Sequence, residues 1–490
     1  MKKIFIIVVG LAFTLLSLTS CEDWIEVDQP DIIEQEQAFS DKNSTRLAML
    51  GLYGLMTDLV EPMFLAGEVR ADLVTATKSA DAYIKEFSNN SFSASNPYIS
   101  PKPFYTLINN TNDFLHRFEV MQTNQEMDSI EYVQYKSELI AIRVWTQHQI
   151  AKIYGTCDYY TQVLTPENSE DVETLPYGEE LLEKLLSDIM YCDTTTFTSV
   201  YDSEIWNSVR FSDYFVNAIM AELYLDLGEY DLAFEKFEEV TQIGDYESRA
   251  AHRFNLSLSL REEVWMEELF LDNWESSRLI DNAIFIIAFD NNYNQSHELF
   301  SWTKSLNYQV APATWYYDYF NAHANADPEK FDYRFLSMQE GDDNIGLNNY
   351  YINKYGEDDR PFIVARTARL ELLRYYCMNY IEDEDGTYDA YRDMNDIRSR
   401  VNAPMIEASF TMFQDRDSAM LWVEDRIIEE MALETGFEGH RWYDLMRIAK
   451  RRNDPAYLAD RVAQKYPEST REEIRERLMD PKNWYIPIFE

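Results

Sequence analysis

Residues 221–243, AELYLDLGEYDLAFEKFEEVTQI, constrain the fold of this chain more than any other stretch. Gly228 and Tyr230 punctuate two helical runs, and Ala233 and Phe237 recur four apart on the second. Gly228 can take the positive φ that a tight inter-helix turn needs, and the small Ala233 lets the two helices approach closely. Such a pair cannot bury its own apolar face, so other helix pairs must stack on it. The expectation is a mostly α chain built as an array of antiparallel helix pairs.

The spacing matches the turn and second helix of a tetratricopeptide unit. In residues 131–155 a stripe of Tyr132, Tyr135, Leu139, Ile142, Trp145, Ile150 and Tyr154 predicts a long amphipathic helix that stops at Gly155. Further helices are predicted over 177–192, 211–227, 230–243, 362–381, 388–401, 421–433 and 442–451, with pairs near 131–190 and 362–402 as companions of the first. Two stretches break the rhythm. Residues 62–110 carry Asn, Ser and Pro with scattered aromatics, and residues 255–360 mix polar loops with short β-like runs such as 282–289. Irregular excursions of this length inside a compact protein are usually functional or disordered, and their aromatic content argues against disorder.

The start of the chain reads as a leader. Lys2 and Lys3 precede an apolar run from Ile4 to about Leu18, then Thr19, Ser20 and Cys21. A basic region, a short apolar core and a small-residue cleavage site ending on cysteine form a bacterial lipoprotein signal. Residues 1–20 would be removed and Cys21 would carry the lipid. The run of roughly 15 residues is shorter than the roughly 20 that span a bilayer. The formal net charge of −44 argues against nucleic acid and anionic membrane surfaces as partners. The basic stretch 447–452 sits on an amphipathic segment and reads as helix C-terminal charge rather than a binding patch. Cys157, Cys192 and Cys377 are far apart and odd in number, so they read as buried thiols, not a disulfide framework or a metal site.

Catalytic motifs are scarce: no GxSxG, P-loop, GxGxxG or HExxH occurs, and the six histidines are isolated from one another in sequence. Eighty-seven Asp and Glu residues will meet glycosidase spacing by chance, and most read as solvated surface. Asp290, Asn292 and Asn294 alternate like the start of a calcium loop, but Gln295 and Ser301 stand where its glycine and glutamate belong; the acidic run 382–386 fails in the same way. No metal and no cofactor are expected, and the chain is not expected to be an enzyme. Sugars offer C–H faces that stack on rings and hydroxyls that pair with Asp, Asn and Arg. Two stretches combine these types: Glu68, Arg70 and Asp72 followed by Tyr83, Phe92 and Tyr98; and Trp274, Asn292, Tyr293, Trp302 and Tyr308.

Several segments together resemble the SusD/RagB family of outer-membrane nutrient-binding lipoproteins of Bacteroidetes. They are IRVWTQHQIAKIYG (142–155), FSDYFVNAIMAELYLDLGEYDLAFEKF (211–237), TQIGDY (241–246), INKY (352–355), AYRDMNDIRSRV (390–401), EDRIIEEMALETGFEGHRWYDLMR (424–447) and NWYIPIFE (483–490). FEGHRWYDLMR is the most specific of them, while Met431 and Ala432 depart from the usual charged and small pair. Glu22 and Asp23 resemble the acidic signal that sends such lipoproteins to the cell surface. The resemblance implies a SusD-like helical frame with four tetratricopeptide-like units and an irregular, loop-rich ligand-binding half with a few short strands. It implies an N-terminal region over 21–255 and a C-terminal region over 256–490, packed as one body. It also implies a SusC-like TonB-dependent β-barrel partner, to which a captured oligosaccharide is handed. The alternative ligand is a peptide, as in the RagB branch, and a surface glycosidase is the more distant reading.

Overall fold

Helix ends follow the local chemistry of the sequence. Asp128 caps the long helix through Ile130 and Glu131 N–H, Ser212 caps the helix over 213–227 through Phe215 N–H, and Asp415 and Ser418 form a reciprocal capping box. The structure, a computed structural model, describes residues 39, 41–192, 208–241, 283–289, 295–304, 306–326, 331–341, 350–356, 360–381 and 385–489. Cys21, Trp274, Asn292 and Tyr293, with the two calcium-like runs in part, lie outside them.

In chain order the elements are α1 (Lys42–Gly54), α2 (Val60–Phe64), β1 (Val74–Ala76), α3 (Ala82–Ser88), α4 (Lys102–Thr123), α5 (Ser129–Tyr154), β2 (Thr156–Tyr159), β3 (Glu173–Pro176) and α6 (Glu179–Ile189). Then come α7 (Asp213–Leu227), α8 (Tyr230–Thr241), β4 (Ala283–Ile287), α9 (Leu299–Thr303), β5 (Val310–Pro312), α10 (Thr314–Ala326), β6 (Met338–Glu340) and β7 (Tyr350–Ile352). The last are β8 (Phe362–Arg366), α11 (Thr367–Met378), α12 (Gly386–Arg400), α13 (Arg416–Thr435), α14 (Arg441–Arg451), α15 (Pro455–Ala463) and α16 (Glu468–Leu478). The described strands form two-stranded antiparallel ladders, β1 with β5, β2 with β3, β4 with β8 and β6 with β7. The fold is mostly α, as the periodicity predicts.

Leu52–Glu490 is one compact unit. Within it α5 packs on α4, α6 and α7, α7 on α8, α8 on α11, and α11 on α12 and α13, so the helices stack in sequence as an array. Gly228 ends α7 with φ 83°, and Ala233 and Phe237 are fully buried against α7, as the helix-pair spacing requires. Trp145, Phe211, Phe215 and Phe285 join the array to β4: the last three have ring centroids 4.7 Å apart, with Trp145 6.0 Å from Phe211. The three described thiols are buried and unpaired.

Three expectations need correction. The helix α5 is not amphipathic along its length. From Ser137 to Tyr154 every residue is buried, because neighbours cover all its sides and Glu138, Arg143 and His148 find internal charged partners. Residues 362–366 are strand, not the start of a helix; an apolar run this short carries no period that separates the two. The stretch 62–110 is also less irregular than its composition suggests, since it holds a π-helical turn at Leu65–Val69, α3 and the start of α4. The run Asn43–Val69 is long and apolar enough by composition to cross a membrane. Its residues Leu59, Val60, Phe64, Leu65 and Val69 are nevertheless fully buried in protein, as in a core helix.

The π-helical turn meets the FEGHR segment at closest range. A Cβ on Gly67 would lie 1.8 Å from the Gly439 carbonyl oxygen, so no side chain fits there. Beside it, Glu68 accepts from Phe437 N–H (2.8 Å) and Gly439 N–H (3.0 Å), and burial raises its carboxyl to about 7 against the pull of those amides. An alanine in a helix normally gains stability over glycine. Here Gly67→Ala is expected to cost about 1 to 3 kcal/mol through overpacking, read as a shift in denaturation midpoint.

Candidate ligand-binding site

The pairing of β1 with β5 brings the two aromatic stretches together. Val74, Thr75 and Ala76 face Pro312, Ala311 and Val310. The ladder is extended by Thr77 N–H to the Gln309 carbonyl (2.8 Å), Thr77 Oγ1 to the Tyr308 carbonyl (2.7 Å) and Asp81 N–H to Gln309 Oε1 (2.8 Å). Asp81 also caps α3 through Ile84 N–H (2.8 Å). One bend later Asn96 accepts from Tyr98 N–H (3.1 Å), and its amide donates to Glu86 (2.9 Å) and to the Tyr83 carbonyl (3.1 Å). Short polar side chains thus fix where Tyr83 and Tyr98 stand.

Tyr98 is half-buried and meets Trp302 edge-on, with centroids 5.3 Å apart at 89°. Trp302 itself is 2 % exposed, so it backs the tyrosine and offers no open face. Burial, then the charges of Asp81, Glu298 and Glu61, raises the Tyr98 hydroxyl to about 12. Glu61 accepts from Glu298 N–H (3.0 Å) and joins the two halves again. Farther along, Lys304 Nζ lies 5.9 Å over the ring of Tyr351, which in turn meets the buried Tyr308 at 6.2 Å. The result is a rim with a partly open tyrosine among carboxylates. A sugar ring can lay a C–H face on such a tyrosine while carboxylates accept from its hydroxyls.

Of the sequence candidates, Tyr83, Tyr98, Trp302 and Tyr308 belong to this region. Arg70 and Asp72 do not reach solvent. Arg70 donates to Asn90 Oδ1 (2.8 Å) and to the carbonyls of Trp484 (3.0 Å) and Asn483 (3.1 Å), and its guanidinium lies 4.0 Å over Trp442. Asp72 takes both its hydrogen bonds from Arg441 (2.8 and 2.9 Å). Their chemistry is spent on holding the N-terminal segment to the C-terminal one, which corrects their reading as ligand contacts. Phe92 packs edge-on to Phe87 at 5.1 Å and lines a separate open groove of about 720 Å³ with Tyr485 and Asn483. Asp81, Glu61, Glu298, Lys304 and Tyr351 were not singled out from the sequence. Only the helix-capping position of Asp81 gave a local signal.

The segment 424–447 forms a second feature, a buried ionic ladder. Glu430, Glu434 and Glu438 recur four apart. Glu430 pairs with Arg334 and Arg398. Glu434 meets Arg366 (2.7 Å), Arg400 (2.9 Å) and Arg334 (3.4 Å). Glu438 meets Lys354 (2.7 Å) and Arg366 (3.0 Å). On α14, Asp444 takes Arg369 (2.9 Å), and Arg447 takes Asp226 (3.0 Å), which also accepts from His148 (2.9 Å) and Tyr177 (2.5 Å). The three glutamates of this ladder are enclosed in the protein, while Asp226 and Arg447 also line a cavity in the helical frame.

A family model for the SusD family matches residues 286–490, a span that holds Trp302, β5 and Glu430, Glu434 and Glu438 with their arginines. A SusD-like protein of Formosa agariphila is 23% identical, with 91% of each chain covered, and a second from the same organism is 22% identical over 90% of this chain and 89% of its own. The chain is similar to SusD-like proteins over nearly its whole length, and its residues 286–490 match the SusD family model. Its fold matches solved SusD structures: a SusD superfamily protein from Bacteroides thetaiotaomicron at TM-score 0.68 and 16% identity, covering 91% and 95% of the two chains, and a laminarin binding SusD-like protein at TM-score 0.66 and 17% identity, covering 88% and 95%. The Tyr83 and Tyr98 half of the rim precedes the matched span, and the Trp302 half lies inside it.

Proposed function

We propose that this chain is a cell-surface lipoprotein of the outer membrane that captures an oligosaccharide and passes it to a SusC-like TonB-dependent β-barrel. The observation that carries the proposal is the joining of two sequence-distant aromatic stretches by β1 and β5 into one rim, where the partly open Tyr98 stands among Asp81, Glu61 and Glu298. The laminarin-binding relative supports a glycan as the ligand. Lipidation at Cys21 would hold the body at the membrane, with 21–255 and 256–490 as its N-terminal and C-terminal regions.

The chain acts by binding and release, and the ligand leaves unaltered. One or two ring contacts at about 0.5 to 1.5 kcal/mol each, with a few hydrogen bonds near 1 kcal/mol, give dissociation constants from about millimolar to micromolar. That range suits capture followed by hand-over. Calorimetric titration of the mature chain with laminarin, other neutral glycans and mixed peptides tests the reading. Saturable binding of a glycan is expected. Binding of peptides alone, or release of shortened sugars by the protein itself, would overturn it.

A further inference from the structure

A cavity of about 450 Å³ opens in the helical frame, between α6, α7, α8 and α14, apart from the rim described above. Its floor is apolar, with Leu182, Leu225 and Met446. Its walls carry four cations, Lys152, Arg447, Lys450 and Arg451, against a single acid, Asp226, in a chain of net charge −44. Three of these cations meet carboxylates: Lys152 with Glu222 (3.6 Å), Arg447 with Asp226 (3.0 Å) and Arg451 with Glu424 (2.5 Å). Lys450 is exposed and its ammonium faces neutral rings, 4.1 Å from the centroid of Tyr177 and 5.5 Å from that of Tyr485.

We infer that this cavity is a second ligand site, for a small carboxylated sugar, with Lys450 holding the carboxylate. The volume lies within the range of small-molecule pockets, about 300 to 1,000 Å³, whereas a protein partner would meet a broad surface. An apolar floor beneath a cationic rim fits a hexuronate, which has a C–H face on one side and a carboxylate at one end. A neutral sugar would leave the Lys450 charge without a counter-ion, and a hydrocarbon chain would leave the whole rim unused. The rings of Tyr177 and Tyr485 hold the ammonium in place in advance, so little side-chain freedom is lost on binding. The acid-lined rim at Tyr98 would repel the same carboxylate, so the two sites select different sugars. Although the residue is exposed, partial loss of water around its ammonium brings Lys450 down to about 8, with Asp226 and Arg447 pulling in opposite directions, and it remains mostly charged at neutral pH.

Sodium glucuronate and glucose are titrated into the mature chain at low ionic strength by ligand-observed NMR, with Lys450→Gln and Tyr98→Ala in parallel and melting curves for each. Glucuronate is expected to bind at least about tenfold more tightly than glucose (about 1.4 kcal/mol), to lose that preference in Lys450→Gln and to keep it in Tyr98→Ala. Equal binding of the two sugars, or a preference that survives Lys450→Gln, would overturn the inference. So would displacement of glucuronate by inorganic phosphate at equal concentration, which would mark a site for any small anion. Loss of the preference in Tyr98→Ala would place the acid sugar at the rim and also overturn it, while failure of the rim to bind neutral glycans would leave this result untouched.

Discussion

Replacement of Glu434 by alanine is expected to lower the unfolding free energy by about 3 to 5 kcal/mol, because it strands buried cations. The carboxylate is fully enclosed and meets three guanidiniums, those of Arg334, Arg366 and Arg400. Burial alone would raise its pKa, yet Arg366, Arg400 and Arg334 together hold it down to about 2. The comparison that isolates burial is Glu180→Ala, which removes a partner of Lys184 at 3.8 Å where the glutamate side chain is 63% exposed. That change should cost well under about 1 kcal/mol. Denaturant midpoints of the two variants check the contrast, and equal shifts would refute it. The sign in acid follows. The folded pKa lies below the unfolded value of 4.5, so this contribution is present above 4.5 and is lost as pH falls through about 2.

Trp302→Ala is expected to cost about 3 to 5 kcal/mol as well, by a different route. The indole is 2 % exposed and supports Tyr98 at 5.3 Å, so its removal leaves a cavity that the short α9 cannot close. The loss should be visible in calorimetric melting before any ligand is added. Glycan binding should then weaken beyond what the melting temperature explains, because Tyr98 loses the edge that orients it. A variant that melts like the wild type would show that Trp302 is not the internal support described here.

How much of this was legible in the sequence depended on whether the deciding partner was local. The pair α7 and α8 was readable because Gly228, Ala233 and Phe237 lie within ten positions of one another and each carries its own steric reason. The end of α5 at Gly155 was readable for the same reason. The burial of α5 on all sides was not, since Gln147, His148 and Lys152 look like a solvent face until tertiary neighbours such as Asp226 and Glu222 are in place. The same distance effect explains Arg70 and Asp72. Charged residues beside aromatics suggest a ligand contact, but their partners, Trp484 and Arg441, stand 414 and 369 positions away. Glu424, Glu430, Glu434, Glu438 and Asp444 look like surface charge by composition, and they are among the best-buried groups because their arginines come from other elements of the fold. Aromatics in polar loops were a better guide: Tyr98 and Trp302 do meet, although only one of them keeps an open part.

The central claim is that the rim around Tyr98 binds the ligand, and Tyr98→Ala tests it most directly. Laminarin is titrated into wild-type and variant protein at matched folded fraction. The account predicts saturable binding to the wild type and a loss of about tenfold or more in affinity in the variant, with little change in melting temperature for a half-exposed ring. Undiminished binding of the glycan by a folded Tyr98→Ala protein would contradict it.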